Sequence, residues 1–587
     1  MAAPEPGRRR AVHRRGGALR SLSRAAGRGG GVAGGRGVDG RIRLLRFAFI
    51  VFLVLVGGKA VALASSSQHL TRIALSQQTA SVVLPPHRGA ILDRNFRELA
   101  VGKPAKTVYA TPYLLDDSRA AAKQLWRVLH IRRHADRLAL RKALENEKSG
   151  FAYVARKVDP ALAKAALALD IPGVGAYDEE ERAYPMKGVA GQVLGFVGVD
   201  GNGLEGLEAV YDKDLSGEAG SETIVRDPAG RTLKTVAHKE PTSGADVRLT
   251  LDETIQYAAE DVLKNTLRTS GAKQAVAIVM DPRSGEILAM ANAPALKGDV
   301  FNAKDELKKN RCITDVYEPG SIFKLVTISG ALADGLVTPK STFTLPPSLT
   351  LYDRTIHESH ERGTVTYSVR EILQWSSNVG AVKIGMKMGK DGLLKWMDRF
   401  GFNHPTGLGL PGEAGGLIPP ADQWSGTTIA NIPMGQGIAV TPLQMAVAFS
   451  TVANNGVQVT PRLVAQVGTT TYDAVKKRRV MPAKVAREVR SMLTTAVAEG
   501  TGTKAQIPGY KVAGKTGTAE KSLPNGRGYS DSDYVASFIG MVPADHPRLV
   551  ILVAVDSPRS SIYGGDIAAP AVQKIMRFSL QHLEIAP

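Results

Sequence analysis

The period of apolar and polar positions changes along the 587 residues and divides the chain into four stretches. Residues 1–43 are dominated by Gly, Ala and Arg, cannot bury a core, and are expected to be disordered. Residues 44–64 are mostly apolar, with an unbroken run over 47–58. That run alone spans about 18 Å as a helix, short of the roughly 30 Å hydrocarbon core. Continuing to Ala64 supplies the length and includes Lys59, whose stem lets its ammonium reach the outer face. Residues 65–240 mix short β-like runs with a helical stretch near 120–146, predicting a separate mixed domain. From Asp246 the pattern changes again. Residues 247–251 read as a strand and 255–267 as an amphipathic helix; 274–281 and 286–291 read as a hairpin across Pro-Arg-Ser-Gly. Helical segments follow through the 320s, 370s–380s and 440s, and Val485, Val489, Met492, Leu493 and Val497 keep helical spacing. Residues 534–542 and 548–555 form a last hairpin around Ala-Asp-His-Pro. Strands at both ends with helices between predict an α+β domain over 245–580 with an antiparallel sheet closed by both ends.

The formal charge is +20, which raises the question of nucleic acid. Its distribution answers against that. Residues 1–46 hold twelve Arg, no Lys and only Glu5 and Asp39 as acids, which is +10, half of the total. The remainder has no basic run interleaved with aromatics. The basic flank lies before the apolar stretch, so the positive-inside rule places residues 65–587 outside the cytoplasm. Ala62-Leu63-Ala64 has the form of a signal-peptide cleavage site, but the charged leader is far longer than a normal n-region, which favours an uncleaved anchor. The single cysteine, Cys312, excludes an internal disulfide and reads as a small packed residue. His357-Glu-Ser-His360 has the wrong spacing for a helical two-histidine zinc motif.

Three short motifs carry chemistry. Ser321-Ile-Phe-Lys324 follows Glu318-Pro319-Gly320 and is expected to open a helix. On a helix, positions i and i+3 share a face. The Lys324 amine can then take the Ser321 proton, provided burial lowers its pKa, and the helix N-terminus favours the developing anion. Alone, S-x-x-K is weak, with roughly two chance matches expected in a chain of this length. A second match, Ser270-Gly-Ala-Lys273, enters a strand and reads as noise. Ser376-Ser377-Asn378 follows the predicted helix 369–375 and is expected at a turn between helices. A hydroxyl there can relay protons and an amide can hold a peptide group, although such a tripeptide is by itself usually a cap or turn. Lys515-Thr516-Gly517, followed by Thr518, is expected on a strand aiming a cation and a hydroxyl at a substrate carboxylate, with Gly517 leaving room for a substrate backbone. Residues 509–516 also match the P-loop expression, but no apolar strand precedes them and breakers follow, so the nucleotide reading fails on context.

The order S-x-x-K, S-x-N, K-T-G is the motif set of penicillin-recognising serine acyltransferases. At these residues the chain closely resembles the class B penicillin-binding proteins, over about residues 84–575. Arg88-Gly-Ala-Ile-Leu-Asp-Arg-Asn95, Tyr184-Pro185, residues 191–200 and Leu204-Glu-Gly-Leu-Glu208 resemble the family's pedestal (dimerisation) domain. Asn431-Ile-Pro-Met-Gly-Gln-Gly-Ile438 resembles a structural segment of its transpeptidase domain. No glycosyltransferase-like region lies between the anchor and the pedestal, which argues against class A. Tyr317-Glu-Pro-Gly-Ser321 and Asn378 look more like the division (FtsI) type than the elongation type. The resemblance implies a serine β-lactamase-like transpeptidase domain, an elongated pedestal and one transmembrane helix. It implies Ser321 as nucleophile, Lys324 as base, Ser376 as proton relay and Asn378 as a donor-peptide ligand. Lys515 and Thr518 would hold the terminal carboxylate beside Thr516 and Gly517, and the N–H groups of Ser321 and Thr518 would form an oxyanion hole. The implied reaction joins stem peptides through an acyl-enzyme with loss of D-alanine, and β-lactams would trap it. No metal or cofactor is implied; a membrane glycosyltransferase of the SEDS family and other divisome proteins are implied partners. A β-lactamase, a carboxypeptidase and a non-catalytic sensor or scaffold share the motifs as alternatives.

Overall fold

The computed structural model describes residues 37–186, 188–226, 232–296, 303–352, 354–523 and 528–587. Most of the basic segment for which disorder is expected, 1–36, lies outside the described residues. The rest of that segment is helical, because helix α1 runs Gly37–Gln78. It starts before the apolar stretch and ends well after it, since Arg41, Arg43 and Arg46 are good helix formers and no breaker separates them from Leu44. Within α1, Gly40–Ala64 has a mean hydropathy of 2.4 and is long and apolar enough to cross a membrane. Its apolar side chains are exposed all round, among them Leu44, Phe47 and Val54. Such a surface fits a helix that crosses a membrane. α1 belongs to one compact unit of the chain; residues 81–223 and 236–587 form another.

In the second unit come β1 (Ile91–Leu92), β2 (Glu98–Ala110), α2 (Ser118–Val128), α3 (His134–Leu144), β3 (Ala152–Val158), α4 (Pro160–Leu167) and β4 (Val174–Ala183). β2 pairs antiparallel with both β3 and β4. The three helices bury Leu125, Leu140, Leu144 and Ala163 against Val108 of that sheet. The one helical stretch expected near 120–146 is two helices. Asp117 caps α2 by accepting from Arg119 N and Ala120 N, and His130 breaks the path with φ of 53°. The resemblance motifs around Arg88 and Glu208 meet in space. The fully buried Glu208 carboxylate accepts from Arg88 Nε (2.8 Å) and Arg182 Nε (2.6 Å). Arg88 also reaches Asp212 at 2.7 Å. Each guanidinium is desolvated, so each must be matched by charge, and three distant segments are thereby tied together.

Next come β5 (Val247–Leu249), α5 (Glu253–Ser270), β6 (Gln274–Met280), β7 (Ile287–Ala293), α6 (Lys324–Ala333), α7 (Val369–Gln374), α8 (Asn378–Phe400), α9 (Pro442–Ala453), α10 (Ala483–Ala498), β8 (Ala513–Ser522), β9 (Tyr529–Val542), β10 (Leu549–Asp556) and α11 (Gly564–His582). β5 does not join the sheet that follows it. It pairs parallel with β1 and antiparallel with Val464–Val467, so the segments before and after residue 245 share backbone ladders. They also share one core, running from Ile91, Leu99 and Leu207 to Ile322 and Phe323. The central sheet has the order β7-β6-β10-β9-β8 and every pair is antiparallel. The first and last hairpins therefore meet at β6–β10, where Ile278 faces Leu552 across the ladder, as strands from both ends of the domain require. Both faces are covered. Ile278 and Leu552 point to the side of α6, α9 and α10, while Val279 and Val553 point to α5 and α11. That is why these strands are continuous apolar runs rather than alternating ones. β8 is left as an edge.

Candidate active site

Ser321 sits in a single turn of 3-10 helix, Gly320–Phe323, that runs into α6. Lys324 N–H closes that turn on Ser321 O, and in this geometry residues i and i+3 nearly eclipse. The turn is clamped from outside. Gly320 has φ of 57° and donates its N–H to Gly435 O at 3.0 Å. A side chain at Gly435 would strike Gly320 O at 2.2 Å, which accounts for a glycine there.

Lys324 is fully buried. Its Nζ donates to Ser376 O (2.6 Å) and Asn378 Oδ1 (2.7 Å) and lies 3.3 Å from Ser376 Oγ. Burial lowers its pKa to about 7, against a smaller opposing pull from the Glu358 carboxylate. Ser376 ends the turn between α7 and α8 with φ of 61°, a strained conformation that aims its hydroxyl at both lysines. Lys515 Nζ donates to the same hydroxyl at 2.9 Å. Lys515 is also fully buried, and burial together with the neighbouring Lys324 holds its pKa well below the ordinary lysine value.

The third motif is packed closely by the protein's own groups. Lys515 donates to Ser376 Oγ and to Thr516, and Thr516 and Thr518 line the cavity. Gly517 leaves room for the protein itself. A Cβ there would lie 2.3 Å from Ser537 Oγ and 3.1 Å from both Ile322 Cγ2 and Pro319 O. The residue keeps β8 against the nucleophile turn. Gly517→Ala is expected to slow acylation of Ser321 at least about tenfold and to destabilise the protein by about 1–3 kcal/mol, read by labelling kinetics and thermal melting. Unchanged kinetics would show that the turn does not depend on this contact.

The hydroxyl of Ser321 opens onto a cavity of about 570 Å³ lined also by Ser376, Asn378, Thr516 and Thr518. Thr518 lies on the edge strand, and its carbonyl would be 3.0 Å from a Cβ on Gly320. In an extended strand the N–H and C=O of one residue point to the same side, so the Thr518 N–H also faces the Ser321 turn. All of the expected residues thus gather at one place, with Lys324 and Lys515 behind the wall rather than on it. Ser270 and Lys273, the decoy pair, do not meet: Ser270 Oγ donates to Thr266 O and Lys273 Nζ pairs with Asp533. Cys312 is buried, and burial raises its thiol pKa.

Sequence reasoning missed two carboxylates. Glu358, read only as the middle of a failed zinc motif, accepts from Ser377 Oγ (2.6 Å), Asn378 N (2.8 Å) and Arg362 Nη2 (2.6 Å). The neighbouring His357 carbonyl accepts from Asn378 Nδ2 at 2.9 Å. Ser377 also caps α8 by accepting from Gly380 N. The segment around residue 358 thereby holds the second motif in place, and no spacing rule links the two. Glu318, three residues before the nucleophile, accepts from Tyr529 Oη at 3.2 Å, and burial pushes its pKa up to about 7.

Residues 275–577 match the penicillin binding protein transpeptidase domain, and residues 83–249 match the penicillin-binding protein dimerisation domain. Stage V sporulation protein D of Bacillus subtilis is 35% identical over 559 residues, covering 93% of this chain and 86% of that protein. Peptidoglycan D,D-transpeptidase FtsI of Escherichia coli is 34% identical over 509 residues, covering 85% of this chain and 84% of that protein. The crystal structure of penicillin binding protein 3 from Mycobacterium tuberculosis, complexed with aztreonam, superposes with a TM-score of 0.68 at 31% identity, covering 86% of this chain and 98% of that one. With both domains matched in order and relatives aligned over most of their length, the chain belongs to the class B penicillin-binding proteins of the FtsI type.

Proposed function

We propose that the protein is a peptidoglycan D,D-transpeptidase that cross-links stem peptides through an acyl-enzyme on Ser321. The observation that carries this reading is the buried chain Lys324–Ser376–Lys515 behind an accessible Ser321. Lys324, with a pKa near 7, takes the hydroxyl proton as Ser321 attacks the D-Ala–D-Ala carbonyl. The N–H groups of Ser321 and Thr518 hold the oxyanion. Ser376, fed by both lysines, returns a proton to the departing D-alanine nitrogen. Thr516 and Thr518 receive the terminal carboxylate, and Asn378 steadies the donor peptide. An amine of a second stem then attacks the ester, Ser321 leaves, and its oxygen recovers the proton through the same groups. β-lactams acylate Ser321 and are released slowly. The domains are assigned as a cytoplasmic tail to about 43, an anchor over 44–64, a pedestal over 65–240 and a transpeptidase domain over 245–580. α1 anchors the chain with residues 65–587 outside the cytoplasm, and similarity to the FtsI type supports a place in septal wall synthesis beside a SEDS-type glycosyltransferase and other divisome proteins.

The test is to incubate the full chain in detergent with a fluorescent penicillin, digest it, and locate the adduct. A stable adduct on the peptide holding Ser321 supports the assignment. An adduct elsewhere, or none on folded protein, removes it; an adduct lost within seconds makes the protein a β-lactam hydrolase instead.

A further inference from the structure

Glu520 lies on β8 two residues beyond Thr518. The pleat puts their side chains and that of Thr516 on one face, and all three line the cavity. Both threonine hydroxyls are engaged: Thr516 Oγ1 lies 2.7 Å from Thr501 Oγ1, and Thr518 Oγ1 accepts from Gly564 N at 3.2 Å. The Glu520 carboxylate has no hydrogen-bond or ion-pair partner among the described residues. The cations next to it on the strand and on the cavity wall have contacts of their own. Lys521, on the opposite face of the strand, pairs with Asp556 at 2.6 Å. Lys504, on the cavity wall, pairs with Asp566 at 2.7 Å. Arg354 stands over the Tyr529 ring at 5.6 Å. What borders Glu520 instead is Tyr534, its cross-strand partner, whose side chain lines the same cavity. An unneutralised carboxylate beside an aromatic ring suits an ammonium group.

The strand supplies the ligand's direction. A peptide added to the free edge of β8 pairs by its backbone and sets alternate side chains toward the strand's own. With its carboxylate at Thr516 and its scissile carbonyl at Thr518, it runs antiparallel to β8. At about 3.3 Å per residue, the residue just upstream of D-Ala–D-Ala comes within a side chain's reach of Glu520. A stem that can act as acceptor carries a free side-chain amine, and the same stem carries it when acting as donor. We propose that Glu520 forms an ammonium-binding subsite that selects stem peptides bearing a free side-chain amine, an inference that rests on the transpeptidase reading. The ammonium belongs either to the donor stem along β8 or to the incoming acceptor.

The experiment measures how competing peptides slow fluorescent-penicillin labelling of the full chain in detergent. The peptides are Nα-acetyl-lysyl-D-Ala-D-Ala with its ε-amine free, the same peptide with that amine acetylated, and Nα-acetyl-lysine amide. In the wild type, the free-amine tripeptide is expected to halve the labelling rate at about fivefold lower concentration than the acetylated one. Within Glu520→Gln the two become equal, and Glu520→Asp restores the preference. A preference confined to the D-Ala–D-Ala peptides assigns the ammonium to the donor. A Glu520-dependent effect of lysine amide assigns it to the acceptor. Equal behaviour of the two tripeptides in the wild type, including no slowing by either, overturns the subsite, as does a preference that survives Glu520→Gln. Absence of any wild-type labelling overturns the transpeptidase reading and the subsite with it.

Discussion

Lys324→Met is expected to slow acylation of Ser321 by β-lactams by about a thousandfold or more, the usual size of a lost general base. The wild-type rate is expected to rise with pH through about 7. Below that value Lys324 is an ammonium and has no lone pair for the serine proton; above it the amine is free. The sign follows from burial, which disfavours the charged form of a lysine and so brings its pKa down to the working range. Lys324→Met removes that rise together with the rate. Lys324→Arg is expected to be as inactive, although it keeps the positive charge, because a guanidinium does not give up its proton in a protein. Stopped-flow labelling across pH 5–9 reads all three chains. Methionine leaves the Ser376 carbonyl and the Asn378 amide oxygen without a donor, at about 1–3 kcal/mol, so melting must show each variant folded at the assay temperature. Labelling of the Met variant within tenfold of wild type would remove Lys324 as the base.

How much of this was legible beforehand depends on distance along the chain. The Ser321–Lys324 relation is local: three residues of helix set it, and the motif states it. The hairpins at 274–293 and 529–556 are also local, each an apolar run turned by polar residues, and their meeting at β6–β10 follows from strands lying at both ends of the domain. What the motifs do not state are contacts with remote neighbours. That Ile322 and Pro319 pack against Gly517 is set by a segment nearly two hundred residues earlier. The partner of Lys515 is as remote: the turn between α7 and α8 brings Ser376 to its ammonium from over a hundred residues earlier. β5 looks like the start of the catalytic sheet until β1, over a hundred and fifty residues earlier, pairs with it. Helix α1 passed both expected boundaries because propensity continues across a change in hydropathy. Glu358 left no signal at all, since a carboxylate that serves a motif about twenty residues away has no spacing to betray it.

That same carboxylate gives the second large effect. Glu358→Gln is expected to lower stability by about 3 kcal/mol and to move the midpoint of the acylation pH profile below 7. The stability loss follows from the contacts. Glu358 has a side chain only 6% exposed and accepts at once from Ser377, Asn378 and Arg362. An amide has one acceptor oxygen where the carboxylate has two, and its NH2 group would meet a backbone N–H or a guanidinium, so at least one buried donor goes unmatched and Arg362 loses its counter-charge. The pH shift follows from Coulomb's law. The Glu358 charge favours the Lys324 ammonium and partly offsets the effect of burial; with that charge gone, burial acts alone and the amine is freed at lower pH. The two consequences oppose each other at pH 6, where more of the variant carries a free base but Asn378 and Ser377 are held less firmly. Loss of positioning is expected to dominate, with a plateau rate about tenfold to a hundredfold below wild type. A midpoint that stays at the wild-type value while stability falls would mean that Glu358 acts only as a strut, and one that rises would contradict the electrostatic account altogether.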